Sequence, residues 1–241
     1  MKQSATEKQP EAVIQPAATV ILLRPTNTTD AKKSEAFEVL LLQRNSTLAF
    51  ASGQWVFPGG KIEAEDASEQ QEPLAIAKQA AVRESAEEAG ITLDANSFHY
   101  FAHFTGPSGE KKRFATWFLL GGLGEHQDIK IDDSEIVAYQ WLTPSAALLQ
   151  HQEGELNMLP PTFWSLQQLL QHPGIEQTLQ AAKAQEAEKE VPHFKPRLVQ
   201  KEQRLHVLLD DDCAYASGDL TLLGTKKRIV MGDKGWLWEQ G

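Results

Sequence analysis

The sequence predicts an α/β fold, a mixed sheet flanked by helices with a smaller C-terminal α+β extension, and three observations predict it. Short apolar runs with strand character stand before and after one long alanine-rich stretch of helical character. That stretch is punctuated by Pro73 at its start and Gly90 at its end. Strand signals return beyond residue 190, after a run rich in Ala, Gln, Glu and Lys.

Each element follows in order. Residues 1–15 are polar and read as a flexible tail. Residues 17–24 (AATVILLR) and 37–44 (FEVLLLQR) are apolar runs that read as strands, joined by a loop. Residues 53–60 (GQWVFPGG) are dense in turn formers around a short aromatic strand. The helix from Pro73 to Gly90 is about 25 Å long at 1.5 Å per residue. On its wheel Leu74, Ala77, Ala81 and Ala89 share a face, widened by Ile76, Ala80 and Val82. Strands are predicted at 98–104 and 114–120, around a polar turn, and again at 136–142. Thr143 and Pro144 supply the N-cap and first turn of a helix through Leu149. Residues 162–171 form an amphipathic helix, and 175–190 a solvated one. A strand at 205–209 and a hairpin at 228–231 and 236–238, around Gly232-Asp233-Lys234-Gly235, complete the chain. The expected organisation is a tail at 1–15, a main domain at 16–170, and an extension at 171–241 of a helix followed by a β-hairpin.

Composition narrows the function. With 23 Lys+Arg against 33 Asp+Glu, the net charge of -10 opposes non-specific binding to nucleic acid or to an anionic membrane. Any phosphate-bearing ligand must therefore meet local cations. The one cysteine, Cys213, excludes an intrachain disulfide and fits a reducing compartment. The first residues lack the apolar core of a signal peptide, and no apolar run reaches the length of a membrane span. A cytoplasmic location is expected.

The string Arg83-Glu84-Ser85-Ala86-Glu87-Glu88-Ala89-Gly90-Ile91 carries the chemistry. On a helix Glu84, Glu87 and Glu88 stand at i, i+3 and i+4, so three carboxylates leave one face. Their repulsion becomes binding when a hard divalent cation such as Mg²⁺ or Mn²⁺ arrives. Arg83 can lock a neighbouring carboxylate by paired hydrogen bonds. The alternative is a solvated acidic face, which sits badly at the negative end of a helix dipole. Phe57-Pro58-Gly59-Gly60-Lys61 is a second signal, because paired glycines let the backbone approach a ligand. By itself it also reads as an ordinary tight turn.

Together these residues resemble the signature of the Nudix hydrolase family: a Gly, five residues, a Glu, seven residues, then Arg-Glu-apolar-x-Glu-Glu-x-Gly-apolar. Gly60 is followed after five residues by Asp66 in the place of the Glu, and the closing segment runs from Arg83 to Ile91 with Ser85 at the apolar position. Sixteen residues separate Asp66 from Arg83 rather than seven, which leaves the role of Asp66 open. The insertion, Asp66, and the segments 53–60, 112–118 and 159–162 are similar to bacterial relatives of the peroxisomal coenzyme A diphosphatase. Arg44, nine residues before Gly53, has the spacing of the coenzyme A-associated pattern, whereas Asn45 and Ala49 depart from it.

The resemblance implies a Nudix-type α/β/α sandwich and attack by water on one phosphorus of a diphosphate, assisted by Mg²⁺ or Mn²⁺. It implies Glu87 and Glu88 as metal ligands, Glu84 as a third ligand or general base, Arg83 as its orienter, and the Gly59 carbonyl as a further ligand. Family members place another acid on a later loop, where Glu135 is the candidate, ahead of Asp132 and Asp133. Those three also read as a solvated turn. Arg44, Lys112 and Arg113 are candidates for the substrate phosphates, and equally for surface charges at strand ends. Trp55 and Phe114 suit stacking on a base, or core packing.

Other chemistries fit less well. His99 and His103 lie four apart within a strand, about 13 Å along it, which is wrong for a zinc pair. Asp210-Asp211-Asp212 reads as an exposed turn, and Gly121-Gly122-Leu123-Gly124 lacks the Lys-Ser/Thr of a P-loop. Three functions stay open: a diphosphohydrolase acting on coenzyme A or another nucleoside diphosphate derivative, a non-catalytic nucleotide-binding module, and a nucleoside triphosphate pyrophosphohydrolase. The expected partner is a nucleotide-containing small molecule, and a homodimer is allowed.

Overall fold

A computed structural model describes residues 12–26, 37–67, 71–110, 112–123, 127–232 and 235–241. Its main sheet contains β1 (Ile14–Pro25), β2 (Phe37–Arg44), β3 (Trp55–Val56), β4 (Gly59–Lys61), β5 (His99–Thr105), β6 (Arg113–Gly122), β7 (Ile136–Leu142) and β8 (His193–Phe194). The order β3-β2-β1-β6-β5-β8 is completed by β4 against β1 and β7 against β2. The sheet is mixed: β1 runs parallel to β6, and β5 parallel to β8, while the other pairs are antiparallel.

β1 is the spine. Seven consecutive residues from Ala17 are buried, because both faces of the strand are covered. Ala18, Val20 and Leu22 meet α1 (Pro73–Ala89), whose Ala77, Ala80 and Ala81 let the helix approach closely. Ile21 and Leu23 face the opposite layer, built from α2 (Pro144–Glu153), α3 (Pro160–Leu169) and α4 (Ile175–Glu188). The arrangement is the α/β/α sandwich expected.

The helix boundaries follow from local chemistry. Pro73 opens α1 with no interior N–H to lose, and Gly90 closes it at φ 67°, its N–H donating to the Ala86 carbonyl. Thr143 caps α2 by accepting the Ala146 N–H at 3.2 Å. Ser85, the departure from the apolar position, is fully buried and turns its hydroxyl onto the Ala81 carbonyl at 2.7 Å.

The tail expected at 1–15 lies outside the described residues up to 11, and Ile14 and Gln15 already belong to β1, paired with Arg113 and Phe114. Part of the loop expected at 25–36 likewise lies outside them, as do Gly124 and Asp233-Lys234. α4 is not a wholly solvated helix. Thr178 and Ala182 are buried, and Ile175 and Leu179 pack on the core beside Gly122. Positions 175, 178, 179 and 182 form a narrow apolar stripe that the surrounding Gln and Glu mask.

Beyond α4 the chain builds more than a hairpin. β9 (Arg197–Lys201), β10 (Arg204–Leu208), β11 (Lys227–Met231) and β12 (Trp236–Gln240) form a four-stranded antiparallel sheet in the order β12-β11-β10-β9. Its Val207 and Ile229 share one hydrophobic cluster with Phe104 and Trp164, so the core continues from the main sheet into this segment. Asp212 is not an exposed turn residue: its buried carboxylate accepts two 2.7 Å bonds from Arg228, itself 2% exposed. A buried guanidinium requires such a partner. Among the described residues no helix is long and apolar enough to cross a membrane.

Candidate active site

The site is assembled where α1 passes the Gly59-Gly60 turn of β4. Thr19 of β1 anchors that turn, its hydroxyl donating to the Pro58 carbonyl at 2.7 Å, and the Val20 N–H donates to the same carbonyl at 2.9 Å. Gly59 has φ +152°, and a Cβ there would lie 2.3 Å from the Ala18 carbonyl oxygen, so only glycine fits. At Gly60 a Cβ would lie 2.4 Å from Glu84 Oε1. The missing side chain is the space the Glu84 carboxylate uses.

Arg83 organises the acids. Its Nε and Nη2 donate to the two oxygens of Asp66 at 2.8 and 3.0 Å, its Nη1 to Glu84 at 2.9 Å and Glu87 at 3.0 Å, and its Nη2 also to the Lys61 carbonyl at 3.0 Å. The Asp66 hydrogen bond raises the guanidinium's pKa. Asp66 ends a short 3₁₀ turn, Ala64–Asp66, and also accepts the Glu63 N–H at 2.8 Å. Burial alone pushes the Asp66 pKa up, yet Arg83 and that N–H more than reverse it, and the carboxyl is held below its usual range. The long insertion therefore leaves Asp66 within reach of Arg83. Its effect is to orient Arg83, and a fork-shaped cation facing an acid was the signal available in the sequence.

Glu88 is the most buried acid of the face, its side chain 6% exposed. The Gly59 N–H donates to its Oε2 at 2.9 Å, and Arg44 Nη1 stands 3.5 Å from its Oε1. Burial pushes its pKa up to about 8; the Gly59 bond and Arg44 oppose that rise, and Glu84 and Glu135 add to it. Glu84 is also raised, first by burial, with Arg83 opposing and Glu87 and Glu135 reinforcing. Glu87 is 57% exposed at the open side. Gly59 thus meets Glu88 through its N–H, a role the sequence did not suggest beside its expected carbonyl.

Arg44, at the end of β2, also donates to Glu135 Oε2 at 3.1 Å. Four expected site residues from separate segments (Arg44, Gly59, Glu88 and Glu135) are therefore brought together. Asp132 stands apart in function: it accepts the Glu135 and Ile136 N–H groups, each at 2.8 Å, and shapes the loop that presents Glu135. Asp133 is exposed in a left-handed turn position. Arg113 is buried, its Nε donating to the Gly106 carbonyl at 3.0 Å across the β5–β6 turn, and Lys112 is exposed beside it. Trp55 is a core residue at 5% exposure, while Phe114 packs its ring 4.8 Å from that of Phe50.

The donor set is made of carboxylate oxygens, with room for one of them created at Gly60, and it suits a hard divalent cation. Among the described residues no three acids converge on a single point; Glu84 is bonded to Arg83, and Glu88 to the Gly59 N–H and Arg44.

The family model described as the NUDIX domain matches residues 14–161, more than half of the chain and all of this site. The chain belongs to the Nudix family. A protein of Caenorhabditis elegans whose name places it among the nudix hydrolases is 26% identical, over 55% of this chain and 56% of that protein. The chain thus spans about half the length of that curated relative. The crystal structure of a Nudix hydrolase from Alicyclobacillus acidocaldarius superimposes with a TM-score of 0.60 at 22% identity, over 70% of this chain and 96% of that one, which shows the shared fold. The Nudix domain of Shewanella oneidensis NrtR, complexed with ADP ribose, gives a TM-score of 0.49 at 18% identity, over 68% and 93% of the two chains. In this Nudix domain the signature helix is α1, and the Gly60-to-Arg83 stretch carries the insertion.

Proposed function

We propose that the chain is a diphosphohydrolase dependent on Mg²⁺ or Mn²⁺, cleaving the diphosphate linkage of a nucleoside diphosphate derivative, with coenzyme A or its esters as the substrate class. The observation that carries this reading is the gathering of Glu84, Glu87 and Glu88 on one face of α1, with Glu135 joined to Glu88 through Arg44. The coenzyme A assignment rests on the segments 53–60, 112–118 and 159–162. Within the fold the first segment lies against the residues just ahead of the third, since the Trp55 N–H donates to the Asn157 carbonyl at 2.7 Å.

Glu87 and Glu88 would hold the cation, with Glu84 and the Gly59 carbonyl beside them. A bound divalent ion neutralises charge on the diphosphate and lowers the pKa of water. The chain's own groups do the rest. Arg83 keeps Glu84 and Glu87 in place, and Arg44, with the exposed Lys112, receives phosphate oxygens, while the buried Arg113 braces the β5–β6 turn. Water forms the new P–O bond, the bridging P–O bond breaks, and Glu84 or Glu135 accepts the water proton.

The test is turnover of the purified chain with Mg²⁺ and with Mn²⁺ on coenzyme A, acetyl-coenzyme A, NADH, ADP-ribose, a dinucleoside polyphosphate and a nucleoside triphosphate. Metal-dependent release of 4′-phosphopantetheine from coenzyme A is the expected result. Pyrophosphate release from the triphosphate alone would replace this reading with the pyrophosphohydrolase. Nucleotide binding without turnover would replace it with a binding module.

A further inference from the structure

The two arginines of the site differ in how completely their donors are used. Arg83 is saturated: Asp66, Glu84, Glu87 and the Lys61 carbonyl take all three of its nitrogens at 2.8–3.0 Å. Arg44 is not. Its Nη1 reaches Glu88 only at 3.5 Å, longer than a charge-assisted bond normally runs, and its Nη2 reaches Glu135 at 3.1 Å. Its Nε is buried with no partner among the described residues, and the side chain is just 16% exposed. A buried donor left unmade is costly, and planar guanidinium groups relieve that cost by gripping an oxyanion with two nitrogens.

Glu88 completes the geometry. The Gly59 N–H occupies Oε2, so Oε1 is the oxygen turned toward Arg44. A cation binding Glu88 through that oxygen would meet the guanidinium charge in the same place. We infer that Arg44 competes with the divalent cation for Glu88 Oε1 and transfers its loosely used donors to a substrate phosphate oxygen as the cation arrives. The inference rests on the proposed metal-dependent reaction. It adds an order to that reaction: cation and diphosphate assist each other, because the group that the cation displaces is one that the diphosphate needs.

The test is calorimetric titration of the full chain with MnCl₂ alone, without nucleotide, on the wild-type, Arg44→Gln, Arg44→Lys and Glu88→Gln proteins. Removing a unit positive charge this close to the cation tightens Mn²⁺ binding about tenfold in Arg44→Gln, given a partly screened site. Arg44→Lys, which retains the charge, stays within about threefold of wild type, and Glu88→Gln binds more weakly. Both Arg44 variants raise KM for the diphosphate substrate about tenfold or more through the lost fork, with a smaller change in kcat. Melting curves identify folded protein in each case. Unchanged or weaker Mn²⁺ binding in folded Arg44→Gln, with Glu88→Gln weakened as expected, overturns the inference and leaves the metal-dependent reading intact. Absence of Mn²⁺ binding in the wild type and in folded Arg44→Gln alike overturns both.

Discussion

Gly60→Ala isolates one carboxylate of the site without disturbing the fold. The added Cβ would lie 2.4, 2.6 and 2.7 Å from Oε1, Cδ and Oε2 of Glu84, and the three nearest atoms are all the far end of that side chain. Restoring an ordinary contact of about 3.4 Å requires the carboxylate to recede by roughly 1 Å. That movement stretches the 2.9 Å bond from Arg83 and shifts Glu84 relative to Glu88. A displacement of about 1 Å in a catalytic group costs up to about 100-fold in rate. Stability should change by less than about 1 kcal/mol, since no backbone atom is struck and a flexible side chain absorbs the change. Gly59→Ala is the control one residue away. There the Cβ would meet Ala18 O at 2.3 Å and Thr19 Cα at 2.5 Å, backbone atoms that cannot step aside, at φ +152°. A loss of about 3 kcal/mol or more is expected. The assay pairs thermal melting with steady-state kinetics on both variants. The reasoning fails if Gly60→Ala turns over at the wild-type rate, or if it melts as early as Gly59→Ala.

Three further outcomes are expected. Asp66→Asn removes the charge from the pair that Arg83 holds by two bonds, so kcat should fall about tenfold as Glu84 and Glu87 lose their fixed partner, with KM for substrate little changed; kinetics at saturating Mn²⁺ check this. Asp212→Ala leaves Arg228 charged and buried, and should destabilise the chain by about 3–5 kcal/mol in denaturant titration, with the C-terminal sheet most affected. Burial, with His193 and Lys195, holds His103 down at about 4, so between pH 4 and its ordinary 6.5 the unfolded chain binds the proton and the folded chain does not. Stability should therefore rise with pH through that window, and His103→Gln should flatten the rise in melting temperature.

The strands and α1 were legible because their signals are strong and local. β2 and β7 fall at 37–44 and 136–142 as read, since each is an apolar run bounded by polar turns. α1 was marked at both ends by Pro73 and Gly90. The packed face of α4 was obscured because Thr178 and Ala182 carry little hydrophobic signal among glutamines and glutamates. β8 and β9 escaped for another reason: two and five residues long, they are defined by partners on other strands, such as His103 for His193 and Leu205 for Gln200.

The acids of α1 could be read from helical spacing, which an insertion before the helix does not alter. The contacts of Arg44 with Glu88 and Glu135 could not, because they span 44 and 91 residues of sequence. Asp66 stayed open for a similar reason, since counting residues across an insertion says nothing of the distance across it. Thr19 carries a weaker lesson: one hydroxyl in an apolar strand marks a backbone carbonyl that must be satisfied, here that of Pro58.

The central claim is that the acidic face of α1 is a cation-dependent site for cleaving a diphosphate. It is tested most directly by titrating Mn²⁺ against turnover of the best substrate for the wild-type, Glu87→Gln and Glu88→Gln proteins, each confirmed as folded. A loss of turnover of about 100-fold or more in Glu88→Gln, a weaker metal dependence in Glu87→Gln, and no wild-type turnover in chelator are predicted. Wild-type turnover that persists in chelator, or that survives in folded Glu88→Gln, would contradict the account.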